Sequence, residues 1–127
     1  MMVMKDVFDR PVYARLRRLC LALPETSERA SWGHPNFRVG TKTFCAFEVI
    51  KGRPSVAFRL PPAAIEELMA TAGFATPYGR GVWASVWVDG RVNWKQTKAL
   101  VELSFRTVAP RRLANPAPQR RSPGKPA

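Results

Sequence analysis

Two tryptophans in one short stretch have the side-chain chemistry needed to hold an unpaired base. The residues of Val82-Trp83-Ala84-Ser85-Val86-Trp87-Val88 alternate as in a β-strand, so successive side chains point to opposite faces. The aliphatic side chains then share one face, and Trp83 and Trp87 share the other. Indole rings stack on any nucleobase, and nearby guanidinium groups bind phosphate. The stretch therefore predicts a stacking surface, with Arg59 of a neighbouring strand beside it, provided that this face is open.

The same two tryptophans also have a purely structural interpretation. A large apolar patch on a surface usually contacts something. Trp83 and Trp87 would then pack under the segment 24–35, under the C-terminal tail, or in a homodimer interface. A stacking surface must be open to solvent, whereas a packing surface must be covered. The sequence alone does not decide between these two interpretations.

The charge balance favours polyanionic partners. The chain has 127 residues with 21 Lys plus Arg against 9 Asp plus Glu, a formal net charge of +12. Nucleic acid, an anionic membrane surface and an acidic protein all fit such an excess, although scattered arginines are also ordinary solvated surface. The side chains that we expect to contact nucleic acid are Arg15, Arg18, Lys42, Arg53, Arg59, Arg80, Trp87, Arg111 and Arg112.

The sequence gives little support for a metal site, a disulfide bond or a catalytic site. His34 is the only histidine, so a site built from several histidines is excluded. Cys20 and Cys45, in a chain without a secretion signal, are expected to be reduced and buried. Glu66 and Glu67 are adjacent on a predicted helix and point in different directions, and no glycine-rich loop precedes a helix to hold phosphate. We therefore expect no catalytic residues, no cofactor and no metal.

Periodicity predicts the elements that position these side chains. Apolar residues at helical spacing predict helices over 10–23, 61–72 and 93–108, with Asn93 as a cap. Alternating and β-branched stretches predict strands over 36–40, 43–50, 55–60, 74–78 and 82–88, and the segment 24–35 is expected to be a loop. This order predicts an α+β fold with two layers, α-β(3)-α-β(2)-α, whose helices cover one face of a mostly antiparallel sheet.

One domain is expected over residues 1–113. Residues 114–127 are basic, contain four prolines and have no aliphatic side chain larger than alanine, so they are expected to be a disordered tail. No apolar run approaches the roughly 20 residues of a membrane-spanning helix, and residues 1–5 do not resemble a signal peptide. We therefore expect a cytoplasmic protein without membrane contact.

Three stretches resemble the MmcQ/YjbR-like family, long classed as a domain of unknown function. Trp32-Gly33-His34-Pro35-Asn36-Phe37-Arg38-Val39 followed by Lys42-Thr43-Phe44 resembles its "WGHPxFRV…GKxF" signature. The stretch 81–89 is similar to its "GWVRVRLD" strand, and SFRTVAPRRL at 104–113 to its "SYRLVAPKRL" helix end. Thr41 and Trp87 depart from the family pattern, which has glycine and a polar residue there.

The resemblance spans residues 10–113 and implies the same α-β3-α-β2-α fold. It also implies DNA binding, by likeness to a double-wing DNA-binding domain of a phage transcription factor, and it brings no catalytic residues. If wings are used, their tips are Gly40-Thr41-Lys42 and Lys51-Gly52-Arg53.

The leading hypothesis is thus a non-enzymatic protein that binds nucleic acid, DNA above all, mainly by electrostatics. One alternative is a chaperone-like interaction module that uses the tryptophan face for a homodimer or a client peptide. Another is a small-molecule binder with a pocket near His34.

Overall fold

Residues 10–31, 33–77 and 81–114, which the computed structural model describes, form an α+β fold with one antiparallel sheet and helices packed on it. The elements are α1 (Pro11–Leu21), β1 (Thr26–Ser31), β2 (His34–Val39), β3 (Lys42–Ile50), β4 (Arg53–Arg59), α2 (Pro62–Met69), β5 (Phe74–Ala75), β6 (Trp83–Trp87), α3 (Trp94–Val108) and α4 (Arg111–Ala114). The strand order is β1-β2-β3-β4-β6-β5. Of the disordered tail predicted over 114–127, Ala114 instead ends α4, and residues 115–127 lie outside the described residues, as does Arg80 with its predicted contact.

The helices begin where local chemistry allows. Proline stands at the start of α1 and of α2, where a missing N–H costs nothing. Asn93 caps α3 as predicted, because its side chain accepts a hydrogen bond from the Gln96 N–H at 3.0 Å.

The helix α2 ends at a close contact with glycine. The Gly73 N–H donates to the Leu68 carbonyl, and a Cβ on Gly73 would lie 2.7 Å from Leu68 Cγ. Among the described helices, none combines the length and the apolar character that crossing a bilayer requires.

The expected loop over 24–35 is wrong, because β1 lies within it. Thr26–Ser31 pairs antiparallel with β2, from Thr26 opposite Val39 to Ser31 opposite His34. This strand has one β-branched residue and no aromatic one, so its own composition is a weak strand signal. Backbone pairing along β2 holds it at the edge of the sheet. Four strands rather than three therefore precede α2, while the strand predicted over 74–78 is the two-residue β5.

Two tight turns mark opposite ends of the sheet. Gly40 lies in the turn between β2 and β3 with φ 61°, and Lys51 and Gly52 join β3 to β4 with φ 51° and 83°. Two successive positive φ angles are the signature of a type I′ hairpin turn. We call these ends the Gly40 end and the Gly52 end. They lie roughly 25 Å apart, because the nine-residue strand β3 connects them. The two predicted wing tips therefore lie at opposite ends of the sheet.

The core lies between the sheet and the helices. Phe44 and Phe47 of β3 both face the helices, although they are three residues apart. The pairing register of β2 and β3 shifts between Phe37 and Arg38, so Phe44 is an extra residue in β3, as in a β-bulge. The bulge turns the Phe44 side chain toward the same side of the sheet as Phe47. Phe44 packs edge-on against Phe105 of α3 and Phe47 packs against Tyr13 of α1, each with ring centroids 5.7 Å apart. These four aromatic side chains therefore belong to a single buried cluster.

The helices lie side by side in a defined order. α1 packs on β1, α3 on β3 and β4, and α2 on β5 and β6. Arg15 of α1 contacts Trp94 at the start of α3, whereas Leu23 after α1 meets Phe105 near the end of α3 in a shared groove. The helices α1 and α3 therefore run in the same direction, from the Gly52 end to the Gly40 end.

Candidate nucleic-acid interface

The outer side of α1, α3 and α4 has an excess of unpaired positive charge. Within these described helices Glu102 is the only acidic residue, whereas six basic residues are exposed and make no ion pair. We call this set the helix-layer basic surface; it consists of Arg15, Arg18, Lys95, Lys98, Arg106 and Arg111. Charges that lack a partner on the protein are available to an external polyanion.

Arg15 of this surface stacks on an aromatic ring. Its guanidinium carbon lies 4.4 Å from the centroid of the Trp94 ring, which is cation–π geometry. This contact uses the face of the guanidinium, whereas phosphate is bound by the N–H groups in its plane. Stacking on Trp94 therefore restrains Arg15 without using its hydrogen-bond donors.

The helix layer is electrically polarised. Helix α2, on the other side of the layer, contains no base and exposes Glu66 and Glu67. A polyanion would be attracted to α1 and α3 and repelled from α2. The layer thus offers one basic side.

The predicted binding residues are divided between several places. Arg15, Arg18 and Arg111 belong to the helix-layer basic surface. Lys42 and Arg59 lie at the Gly40 end of the sheet, and the Arg59 side chain donates to the Leu60 carbonyl at 3.2 Å. The structure does not bring the eight described residues of the predicted set together.

Arg112 of α4 has an acidic partner. Its guanidinium donates to both Glu25 carboxylate oxygens, at 2.7 and 2.9 Å. These hydrogen bonds lower the pKa of Glu25 and raise that of Arg112. Glu25 has φ 58°, which is uncommon for any residue but glycine, so the pair holds a strained turn after α1 against α4. Arg112 therefore has a structural contact that competes with phosphate.

Trp87 is covered on both faces of its ring. Phe74 stacks at a centroid distance of 4.3 Å with an interplanar angle of 22°, and the Arg53 guanidinium carbon lies 3.9 Å from the same ring centroid. Two groups so close to one centroid must occupy opposite faces. Arg53 Nε also pairs with Asp89 Oδ2 at 2.5 Å, and this hydrogen bond lowers the pKa of Asp89. A base stacks on Trp87 only after Arg53 moves.

The sheet face that bears the tryptophans is closed at its centre. Ala57, Ser55 and Ser85 are fully buried on the face that they share with Trp83 and Trp87, which are partly buried. The small side chains in the middle of the sheet lie below the longer ones that flank them. The open face on which the predicted stacking surface depends is therefore closed at Ser55 and Ala57.

His34 lies beside an acidic side chain. It begins β2, and its Nε2 lies 3.3 Å from Glu48 Oε2 in a mostly buried environment on the same sheet face. Across residues 10–31, 33–77 and 81–114, no three His, Cys, Asp or Glu side chains converge to hold a metal.

The two cysteines, Cys20 and Cys45, are both free and buried, as predicted. Burial together with a hydrogen bond to Cys45 raises the pKa of Cys20.

Three residues of the helix-layer basic surface were missed in the sequence. Lys95, Lys98 and Arg106 follow one another along α3 at steps of three and eight residues, which is one side of a helix. The predicted helix over 93–108 already contained this signal. Placing the basic residues of that predicted helix on a helical period shows that these three side chains share one side.

Comparison with known proteins identifies relatives of this fold. A family model described as YjbR matches residues 21–107. The crystal structure of Deinococcus radiodurans protein DR2400, with a DUF419 domain, superposes at a TM-score of 0.66, covers 77% of this chain and 78% of that chain, and has 19% sequence identity. A Pseudomonas syringae protein superposes at 0.55, with 84% and 98% covered and 16% identity. No match is found among curated proteins. At such identities the two structures show a shared fold alone.

Proposed function

We propose that this chain, which belongs to the YjbR family, is a non-catalytic protein that binds nucleic acid, DNA in the first instance, through the helix-layer basic surface. The observation that carries the proposal is the set of six exposed bases without an ion pair, next to a single acid. Phosphates bound by such side chains release counterions, which gives affinity without sequence specificity. We place this role in the cytoplasm, where its two thiols stay reduced.

The extent of the surface sets the expected strength. Lys95 and Arg106 are eleven residues apart on α3, about 16 Å along the helix axis. A stretch of about 16 Å of duplex presents four to five phosphates per strand, since successive phosphates of one strand are about 3.4 Å apart along the axis. Four to five contacts predict a slope of log affinity against log salt near −4.

Fluorescence anisotropy of a labelled DNA duplex tests the proposal. The intact protein is titrated at several salt concentrations between about 50 and 200 mM. We expect affinity to fall roughly 150- to 500-fold over this range, since four to five counterions are released. Binding that ignores salt, or no binding at the lowest salt, would show that the positive charge has another role.

The interaction-module alternative has less support. Among the described residues the exposed large hydrophobic side chains are Met69 and Val82, at 43% and 38% exposure. Two such side chains do not make the contiguous apolar patch that marks a protein interface. The small-molecule alternative rests on His34, whose neighbour Glu48 is 5% exposed and therefore barely accessible to a ligand.

A further inference from the structure

A groove of about 420 Å³ opens at the Gly52 end of the sheet. Its lining residues are Ile50, Lys51, Arg53, Phe74, Pro77 and Trp87. We propose that this groove holds one unpaired nucleobase of a bound single strand. The inference rests on the proposed function and adds to it the class of nucleic acid that the protein prefers.

The chemistry of the lining matches a nucleotide. The volume lies within the range of roughly 300 to 1,000 Å³ that is typical of small-ligand sites. Trp87 provides an aromatic face on which a base can stack, Phe74 and Pro77 complete the apolar lining beside it, and Lys51 provides a positive charge for the phosphate. An apolar peptide would complement the wall but not the charge.

Arg53 is the group that a base would replace. Its guanidinium carbon is 3.9 Å from the Trp87 centroid, so a base and this guanidinium cannot occupy that ring face together. The Arg53 side chain is 51% exposed and Asp89 is 33% exposed, and ion pairs in such an environment are weak and screened by salt. Arg53 can therefore leave the ring and remain close enough to bind the phosphate of the same nucleotide.

Phe74 prepares Trp87 for this exchange. It stacks on the opposite face of the ring at 4.3 Å and fixes the orientation of the indole before any ligand arrives. A rigid aromatic platform loses little conformational entropy on binding. The groove therefore requires the movement of one exposed side chain and no rearrangement of the sheet.

The groove lies close to the start of the helix-layer basic surface. The chain leaves Trp87 at the Gly52 end and begins α3 at Trp94, whose ring contacts Arg15. Exposed Arg91 lies in the connection between them. A strand whose phosphates contact Arg15 and Lys95 can thus extend toward the groove, whereas a duplex has no unpaired base to place in it.

A change in the ligand provides the first test. Anisotropy is measured for the intact protein with a labelled oligothymidylate and with an abasic strand of equal length, at several salt concentrations. We expect the abasic strand to bind at least about fivefold more weakly with an unchanged salt slope, since stacking of one base contributes about 5- to 150-fold in affinity and the slope reports phosphates.

A pair of variants provides the second test. Trp87→Leu keeps an apolar side chain but removes the stacking surface, and Trp83→Leu makes the same change four residues away on β6. Trp87→Leu is expected to weaken oligothymidylate binding at least about fivefold and to leave duplex binding unchanged. Trp83→Leu is expected to bind both ligands as the wild-type protein does.

The outcomes separate the two proposals. If thymidylate and abasic strands bind equally while affinity still depends on salt, the groove proposal is wrong and the electrostatic function stands. If no oligonucleotide binds, both are wrong. If Trp87→Leu is unfolded by circular dichroism, the comparison of the two strands on the wild-type protein decides.

Discussion

Glu25 shows how one residue pair can hold an unfavourable backbone. Its φ of 58° lies in the left-handed region, and its carboxylate is held by both donors of Arg112, 87 positions later in the chain. Neither feature is visible in the sequence, because the turn after Pro24 has no glycine and the partner is distant. The pair connects the end of α1 to α4.

Two substitutions at Glu25 separate backbone strain from the ion pair. Glu25→Ala and Glu25→Gly both remove the contact with Arg112, but an alanine in the left-handed region costs about 1 kcal/mol more than a glycine. We expect the glycine variant to be the more stable of the two in denaturant unfolding. Equal stabilities would mean that the turn relaxes once the ion pair is lost.

The two cysteines should be chemically inert in the folded protein. Both are fully buried, and burial raises the pKa of Cys20, which disfavours the reactive thiolate. We expect DTNB to label neither thiol of the native protein within minutes and to label both in denaturant. Rapid labelling of the native protein would indicate that α1 separates from β3 much more often than this packing implies.

At the scale of elements, the sequence pattern predicts the helices and the central strands better than the edges. The α3 helix has a capping asparagine and an apolar period, and both features are local. The edge strand β1 is polar and depends on hydrogen bonds to β2, so its own residues do not indicate it. The same limit applies to the candidate site, because the pairing of Arg53 with Asp89 and its stacking on Trp87 depend on how β4 and β6 align.

The β3–β4 hairpin depends on glycine at one position. Gly52 has φ 83°, and a Cβ there would meet no atom within 4 Å, so the cost of a side chain comes from the backbone alone. We expect Gly52→Ala to lower the free energy of unfolding by about 1 kcal/mol. Gly90 also has open space but no positive φ, so Gly90→Ala is the matched control and should be neutral or slightly stabilising. Equal effects of the two substitutions would contradict the type I′ assignment.

At the scale of the molecule, charge is sorted within the helix layer. Bases without ion pairs collect on α1, α3 and α4, acids are exposed on α2, and the sheet face is closed at its centre. Net charge alone predicts a polyanionic partner but not which side of the protein binds it. That location depends on the parallel placement of α1 and α3, which no local pattern in the sequence indicates.

The most direct measurement compares two pairs of charge-neutralising substitutions that are equal in net charge. Arg18→Gln with Lys98→Gln removes two charges from the helix-layer basic surface, and Arg29→Gln with Lys42→Gln removes two exposed charges from the sheet strands. Duplex affinity is measured at several salt concentrations for both double variants. We predict that the helix pair lowers the magnitude of the salt slope by about 1.8 and that the sheet pair leaves the slope unchanged. An equal or larger loss in the sheet pair would contradict the account and place the interface on the sheet.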